Sequence, residues 1–275
     1  MAVMSTRRRV TRIAEITASG SQSSERPDDL SVEAPLQLLT DGAVMAILMR
    51  TPGHDLELSA GWLVVESGVR TAGDLVGLRQ CRTDGPEGER GIDQVHLSLR
   101  PGVSAPQPRA WVTGSSCGVC SADVLDLSVL GRGPAHRAGW TVSVDVLHAL
   151  PESVRKQQRT FDRTGSLHAA ALATATGELL VVREDVGRHN AVDKTTGWAL
   201  LADRLPATDL LLAVSGRVSF EIVQKAVAAG VAGIVAVSAP SDLAVDLARE
   251  HDLVLAGLVR SSTMNLYAGA EYVTR

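Results

Sequence analysis

Residues 210–259 alternate short aliphatic runs with amphipathic stretches, a pattern that few folds can accommodate. Leu210 to Val214, Gly233 to Val237 and Leu253 to Val259 have strand length, and Phe220 to Ala229 and Asp242 to Glu250 carry helical spacing between them. Strands joined through helices must run side by side in the same direction, so this βαβαβ end predicts a parallel sheet in an α/β fold. In such a sheet the turns after the strands gather at one edge, where ligands bind. Here they are Ser215-Gly216-Arg217, Ser238-Ala239-Pro240-Ser241 and Arg260-Ser261-Ser262. The first two open helices, whose free N–H groups suit phosphate, and Arg217 and Arg260 add forked donors. The set reads as a nucleotide or pyrophosphate site, although the same Ser and Gly residues also serve plain helix capping.

The chain ahead of this end reads as a smaller α+β part. Leu36 to Met49 forms two short strands around Asp41-Gly42, Leu56 to Val69 an amphipathic helix that Asp55 caps, and Val95 to Leu99 a strand. Gly131 to Gly139 has the composition of a linker. The first thirty residues carry Arg7, Arg8, Arg9 and Arg12 before a Ser- and Glu-rich stretch. The expected organisation is a flexible arm over 1–30, an N-terminal α+β part over 31–137 and an α/β cofactor-binding domain over 138–275. Within the last, Ala169 to Ala173 and Leu179 to Val182 flank Thr176-Gly177 as a hairpin. A helix then begins near Asn190, with Asp193 completing a capping pair.

Composition narrows the function. Lys and Arg number 27 against 31 Asp and Glu, so no global basic field argues for nucleic acid or a membrane surface. With two Phe, two Tyr and four Trp, the core must be aliphatic. No run reaches the length of an apolar span and no apolar N-terminal segment resembles a signal peptide. Three cysteines are too few for a disulfide scaffold, so a reducing cytoplasm is the expected location.

Two of those cysteines, Cys117 and Cys120, lie in Gly114-Ser-Ser-Cys-Gly-Val-Cys ahead of the helix-like run Ala122 to Leu130. A helix start stabilises a thiolate and makes it nucleophilic at neutral pH. A zinc shell would be half empty without a second pair or a spaced His, so no metal is expected. Cys81 reads as a packed small hydrophobe. The charged run Arg183-Glu-Asp-Val-Gly-Arg-His-Asn190, continuing to Asp193 and Lys194, reads either as a solvated turn or as a site that fixes a polar ligand, with His168 beside it.

Six ordered motifs then carry a resemblance to a known family, the FdhD formate dehydrogenase accessory sulfurtransferases. They are Thr51-Pro-Gly-His-Asp with the helix to Glu66, Ser115-Ser-Cys-Gly-Val-Cys, Phe161 with Thr164-Gly-Ser-Leu-His-Ala-Ala, Arg183 to Lys194, Ser215-Gly-Arg-Val-Ser-Phe-Glu-Ile-Val-Gln-Lys, and Ser238-Ala-Pro-Ser. The resemblance implies a sulfur carrier that takes sulfur from a cysteine desulfurase as a persulfide. It would pass the sulfur to the molybdenum cofactor, in its bis(pyranopterin guanine dinucleotide) form, before insertion into the catalytic subunit of formate dehydrogenase. It further implies a cytoplasmic homodimer and a three-layer, cytidine-deaminase-like C-terminal domain, here without the deaminase zinc signature. Cys117 matches the family's persulfide-bearing cysteine and Cys120 its partner. The cofactor loop falls on Leu258, Val259, Arg260, Ser261, Ser262 and Thr263, with Arg217 on the neighbouring turn. Thr263 stands where relatives usually carry a second Arg or Lys, so weaker phosphate binding is expected, and Ser166 stands in place of a Gly. Two other readings stay open at this level: a cofactor-binding chaperone of formate dehydrogenase that transfers no sulfur, and a dithiol oxidoreductase.

Overall fold

The computed structural model describes residues 3–17, 20–82, 91–108, 112–113 and 139–275. Cys117, Cys120 and residues 131–138 of the expected linker lie outside them.

The segment read from sequence as an arm contains two strands, β1 (Ser5–Thr17) and β2 (Gly20–Ser31), paired as an antiparallel hairpin. The pairing has a charge logic that a one-dimensional reading misses: Arg7 faces Asp29, Arg8 faces Asp28, and Arg9 bonds Glu25 at 3.3 Å. Opposite charges across a ladder stabilise it modestly. At the base of the hairpin Val32 N–H donates to Met4 O, and the hydroxyls of Ser31 and Ser166 lie 2.5 Å apart.

Next come β3 (Ala34–Thr40) and β4 (Ala43–Arg50), joined by Asp41 and Gly42 at φ 50° and 79°. Two successive left-handed residues give the turn whose twist matches a hairpin. The helix α1 (Asp55–Glu66) follows, but Asp55 does not cap it. His54 is the cap residue, and the Asp55 carboxylate instead accepts from Arg50 Nε and Nη2 at 3.0 Å each and from Gln80 at 2.8 Å. A guanidinium buried as completely as that of Arg50 needs its charge partners, and Asp55 and Asp93 supply them. The strands β5 (Leu75–Arg82), β6 (Asp93–Leu99) and β7 (Val112–Thr113) complete a five-stranded sheet in the order β5-β6-β3-β4-β7.

The rest of the chain runs β8 (Val142–Ser143), α2 (Val144–Arg155), α3 (Arg159–Thr164), β9 (His168–Thr174), β10 (Leu179–Asp185), α4 (Arg188–Leu201), β11 (Leu210–Val214), α5 (Phe220–Ala229), β12 (Gly233–Ala236), α6 (Asp242–Glu250), β13 (Val254–Gly257), β14 (Asn265–Ala268) and β15 (Val273–Thr274). The second sheet has the order β10-β9-β11-β12-β13-β14. As the alternation predicted, β11, β12 and β13 are parallel; β9 and β14 flank them antiparallel.

Strand periodicity sorts this sheet's side chains between two cores. Ala170, Leu172, Leu210, Leu212, Ile234 and Leu255 point toward α4, α5 and α6, whereas Ala169, Ala171, Leu211, Ala213, Val235 and Val254 point toward α2. Helices therefore cover both faces, which makes this part three-layered. The first core also takes in Leu36, Leu38, Leu58 and Leu63, so the five-stranded sheet and α1 share it with the C-terminal part.

Candidate functional site

The charged run from the end of β10 into α4 is neither a solvated turn nor an open ligand site. Asp185 and Lys194 are wholly buried and pair at 2.7 Å. Asp185 also accepts from Thr51 N at 3.1 Å, Gly187 N at 2.9 Å and Asn190 Nδ2 at 3.0 Å, while Lys194 donates to Thr51 O at 2.9 Å. Arg183 grips both carboxylate oxygens of Glu57 on α1, with Nη2 to Oε1 at 2.7 Å. Glu184 receives the N–H groups of Thr160 and Phe161, at 3.0 and 2.7 Å, at the start of α3. The cap of α4 is Gly187; Asn190 and Asp193 are not a capping pair, because Asn190 donates to Met49 O and Asp193 binds Lys225 at 2.7 Å. Asp185, Lys194, Arg183, Glu184 and Asp193 thus each have a partner, as low dielectric demands, whereas Arg188 Nε is buried without one among the described residues. Thr51 to Asp55 and Arg183 to Lys194, read separately from sequence, are two halves of one clamp between the sheets.

The opening lies on the other face. A cavity of about 1250 Å³ is bounded by α2, α3, the turn before β9 and the ends of β11, β12 and β13. This is the edge where the parallel strands release their connections, the expected place for a ligand. Its floor is apolar, formed by Ala213, Val214, Val235, Val237 and Val259. Polar groups stand on its rim: Ser215, His168, Arg260, Ser261 and, from α2, His148 and Arg155. Ser215 Oγ accepts from Ala169 N at 2.9 Å, which ties the end of β11 to β9. A Cβ at Gly216 would stand 3.3 Å from His168 Nδ1, so the glycine lets the turn close over the imidazole. Burial, with Arg188 and His189 nearby, lowers the pKa of His168 below the ordinary 6.5, so the ring is neutral at pH 7.

The loop after β13 is braced from within. Leu258 takes a left-handed φ of 52°, a strained geometry for a residue with a Cβ, and Arg260 N–H closes a tight turn by donating to Thr263 O at 2.8 Å. Arg260 Nη1 donates to Val237 O and Val259 O at 2.7 and 2.8 Å, and its own carbonyl lies 2.6 Å from His148 Nδ1. Of the sequence-derived site residues, Val259, Arg260 and Ser261 line the cavity together with Ser215. Leu258, Ser262 and Thr263 continue the loop exposed beyond it, and Arg217 is exposed on the adjacent turn without lining it. Cys117 and Cys120 lie outside the described residues. The sequence reading missed the α2–α3 wall altogether. Its signal was Leu147, Leu150 and Val154 at helical spacing behind Ser143, which caps α2 by accepting from Val146 N at 3.3 Å.

Comparison with known proteins bears on the whole arrangement. The model of the FdhD/NarQ family matches residues 31–274. A sulfur carrier protein FdhD of Streptomyces coelicolor is 47% identical over 272 residues, covering 97% of this chain and 95% of the relative. One of the same name from Nocardia farcinica is 45% identical over 260 residues, covering 94% and 92%. Among solved structures, a chain described as a formate dehydrogenase accessory protein from Desulfotalea psychrophila superposes with a TM-score of 0.75 at 20% identity, covering 99% of this chain and all of that one. That likeness shows the fold.

Proposed function

Because the chain belongs to the FdhD/NarQ family, we propose that it is a sulfur carrier, a sulfurtransferase that serves formate dehydrogenase maturation in the cytoplasm. The observation that carries this reading is similarity over nearly the whole chain to proteins named sulfur carriers. The Cys117 thiolate attacks the terminal sulfur of a persulfide on a cysteine desulfurase; the donor's S–S bond breaks, its thiolate leaves, and Cys117 keeps the sulfur. Cys120, three residues on, holds or resolves that persulfide. The client is the molybdenum cofactor in its bis(pyranopterin guanine dinucleotide) form, carrying its phosphates to the Arg260-Ser261 loop and a flat heterocycle, whose faces suit an apolar floor, into the cavity. Arg217, exposed on the approach, adds attraction for the anion, and the loaded cofactor then goes to the formate dehydrogenase catalytic subunit.

Intact-mass measurement after incubation with a cysteine desulfurase and cysteine tests the reading. A reducible gain of one sulfur is expected on the native chain and on Cys120→Ala, and none on Cys117→Ala. Absence of the gain on every variant, with nucleotide binding intact, would overturn sulfur transfer and leave a cofactor-binding chaperone.

A further inference from the structure

The ribbon of β1 and β2 has no third strand among the described residues, and β1 alone, at 13 residues, extends about 40 Å. A two-stranded ribbon is marginal in water without a surface to lie on. Its base is seated beside the cavity. Ser31 meets Ser166, which lines the cavity, at 2.5 Å, and Met4 Sδ accepts from Thr160 Oγ1 of α3 at 3.8 Å. The family model begins at residue 31, which leaves the ribbon outside the shared body.

The register sorts the ribbon's charges between two faces, because side chains alternate along a strand. Arg7 and Arg9 share one face with Asp29 and Glu25, their ion-pair partners. The other face carries Arg8, Arg12 and Arg26 around half-buried Val10, with Asp28 as its one acid among the described side chains. These three arginines are exposed, and no ion pair holds them among the described residues. One face is thus neutral and the other basic. Arginine around an apolar centre is the composition of a protein interface. Residues 5–31 contain no aromatic side chain to stack on a base, and the chain as a whole is negative, which disfavours nucleic acid.

We propose that the face bearing Arg8, Arg12 and Arg26 docks a carboxylate-rich surface of the protein that takes the client from the cavity, the formate dehydrogenase catalytic subunit. The inference rests on the client reading, and it adds the surface through which delivery occurs. Opposite charge draws the two proteins together, and the ribbon's seat on the cavity wall brings the acceptor to the cavity.

Stopped-flow association of the full chain with the purified catalytic subunit, at two ionic strengths, tests the face. The triple variant Arg8→Ala, Arg12→Ala, Arg26→Ala should associate about tenfold more slowly at low salt and with a weaker salt dependence. Lysine at the same three positions keeps the charge and should hold the rate within about twofold of native. The alanine variant should still gain sulfur on Cys117 and bind GDP like the native chain, which guards against loss of fold as the cause. An unchanged association rate in the alanine variant would overturn the docking face while leaving the client reading intact, and so would a loss confined to the binding of a random DNA duplex. A fall in oligomeric state of that variant would also overturn it, by giving the face to a second copy. Failure of the native chain to bind the subunit would overturn delivery and the docking face together.

Discussion

Gly61 of α1 and Gly197 of α4 meet backbone to backbone. A Cβ built on Gly61 would stand 2.8 Å from Gly197 N, and one on Gly197 would stand 2.7 Å from Gly61 N; each would also collide with a carbonyl, of Asp193 and of Glu57 respectively. Close contact at this point is what lets a helix lying on one sheet reach a helix lying on the other and close the shared core.

Gly61→Ala or Gly197→Ala therefore forces the two helices apart rather than adding a harmless methyl. The expected loss is about 3 kcal/mol, the upper end for overpacking, although Ala favours helix more than Gly does. Chemical denaturation of each variant measures it, and an unchanged midpoint would remove the crossing from the account.

Lys194→Met leaves the carboxylate of Asp185 buried without its cation. Breaking such a pair costs about 3–5 kcal/mol. Replacing Asp185 by Asn in the same chain should recover part of that loss, because the neutral amide leaves no bare charge; a double-mutant cycle on denaturation midpoints reads the coupling.

Glu57 contributes to the acid limb of stability, alongside Asp74, Asp93 and Glu221, whose pKa values are also lowered. Burial alone would raise its pKa, but hydrogen bonds from Arg183 and His54 hold it at about 2 against an ordinary 4.5. The folded value lies below the unfolded one, so the contribution is complete above pH 4.5 and is lost as pH falls toward 2. By the shift it amounts to something on the order of 3 kcal/mol. Glu57→Gln should flatten the stability profile in that window and nowhere above it. His168 acts in the same direction at higher pH: with its pKa lowered chiefly by burial, its imidazole should titrate in NMR below 6.5. A value above 6.5 would contradict the environment described for it.

Arg260→Ala removes both the brace on Val237 O and Val259 O and the charge at the cavity rim. GDP and pyrophosphate affinities should fall together by about tenfold, the scale of one charge-assisted hydrogen bond. Arg217→Ala should mainly slow association at low salt, since an exposed charge outside the cavity acts through its field. Stopped-flow titration at two ionic strengths distinguishes the two arginines.

The βαβαβ end could be read from the chain almost to the residue: Leu210–Val214, Phe220–Ala229 and Asp242–Glu250 appear as expected. Their periodicity and caps are local, and local pattern is what a sequence displays. The edge where the cavity opens followed from it, because parallel connectivity dictates where the turns after the strands gather. The sequence did not announce β5, an edge strand of half-buried and exposed residues. Nor did it announce α2, whose apolar spacing is interrupted by Pro151. The deeper gap concerns charge. Residues 183–194 have the composition of a surface turn, yet Asp185 and Lys194 have no exposure at all, because Thr51, far away in the chain, brings an N–H group to the carboxylate and a carbonyl to the ammonium. Whether a polar residue faces water, a partner or a cavity depends on what other segments bring to it. The pairing of Asp185 with Lys194 and the cavity setting of His168 were thus decided by tertiary structure alone.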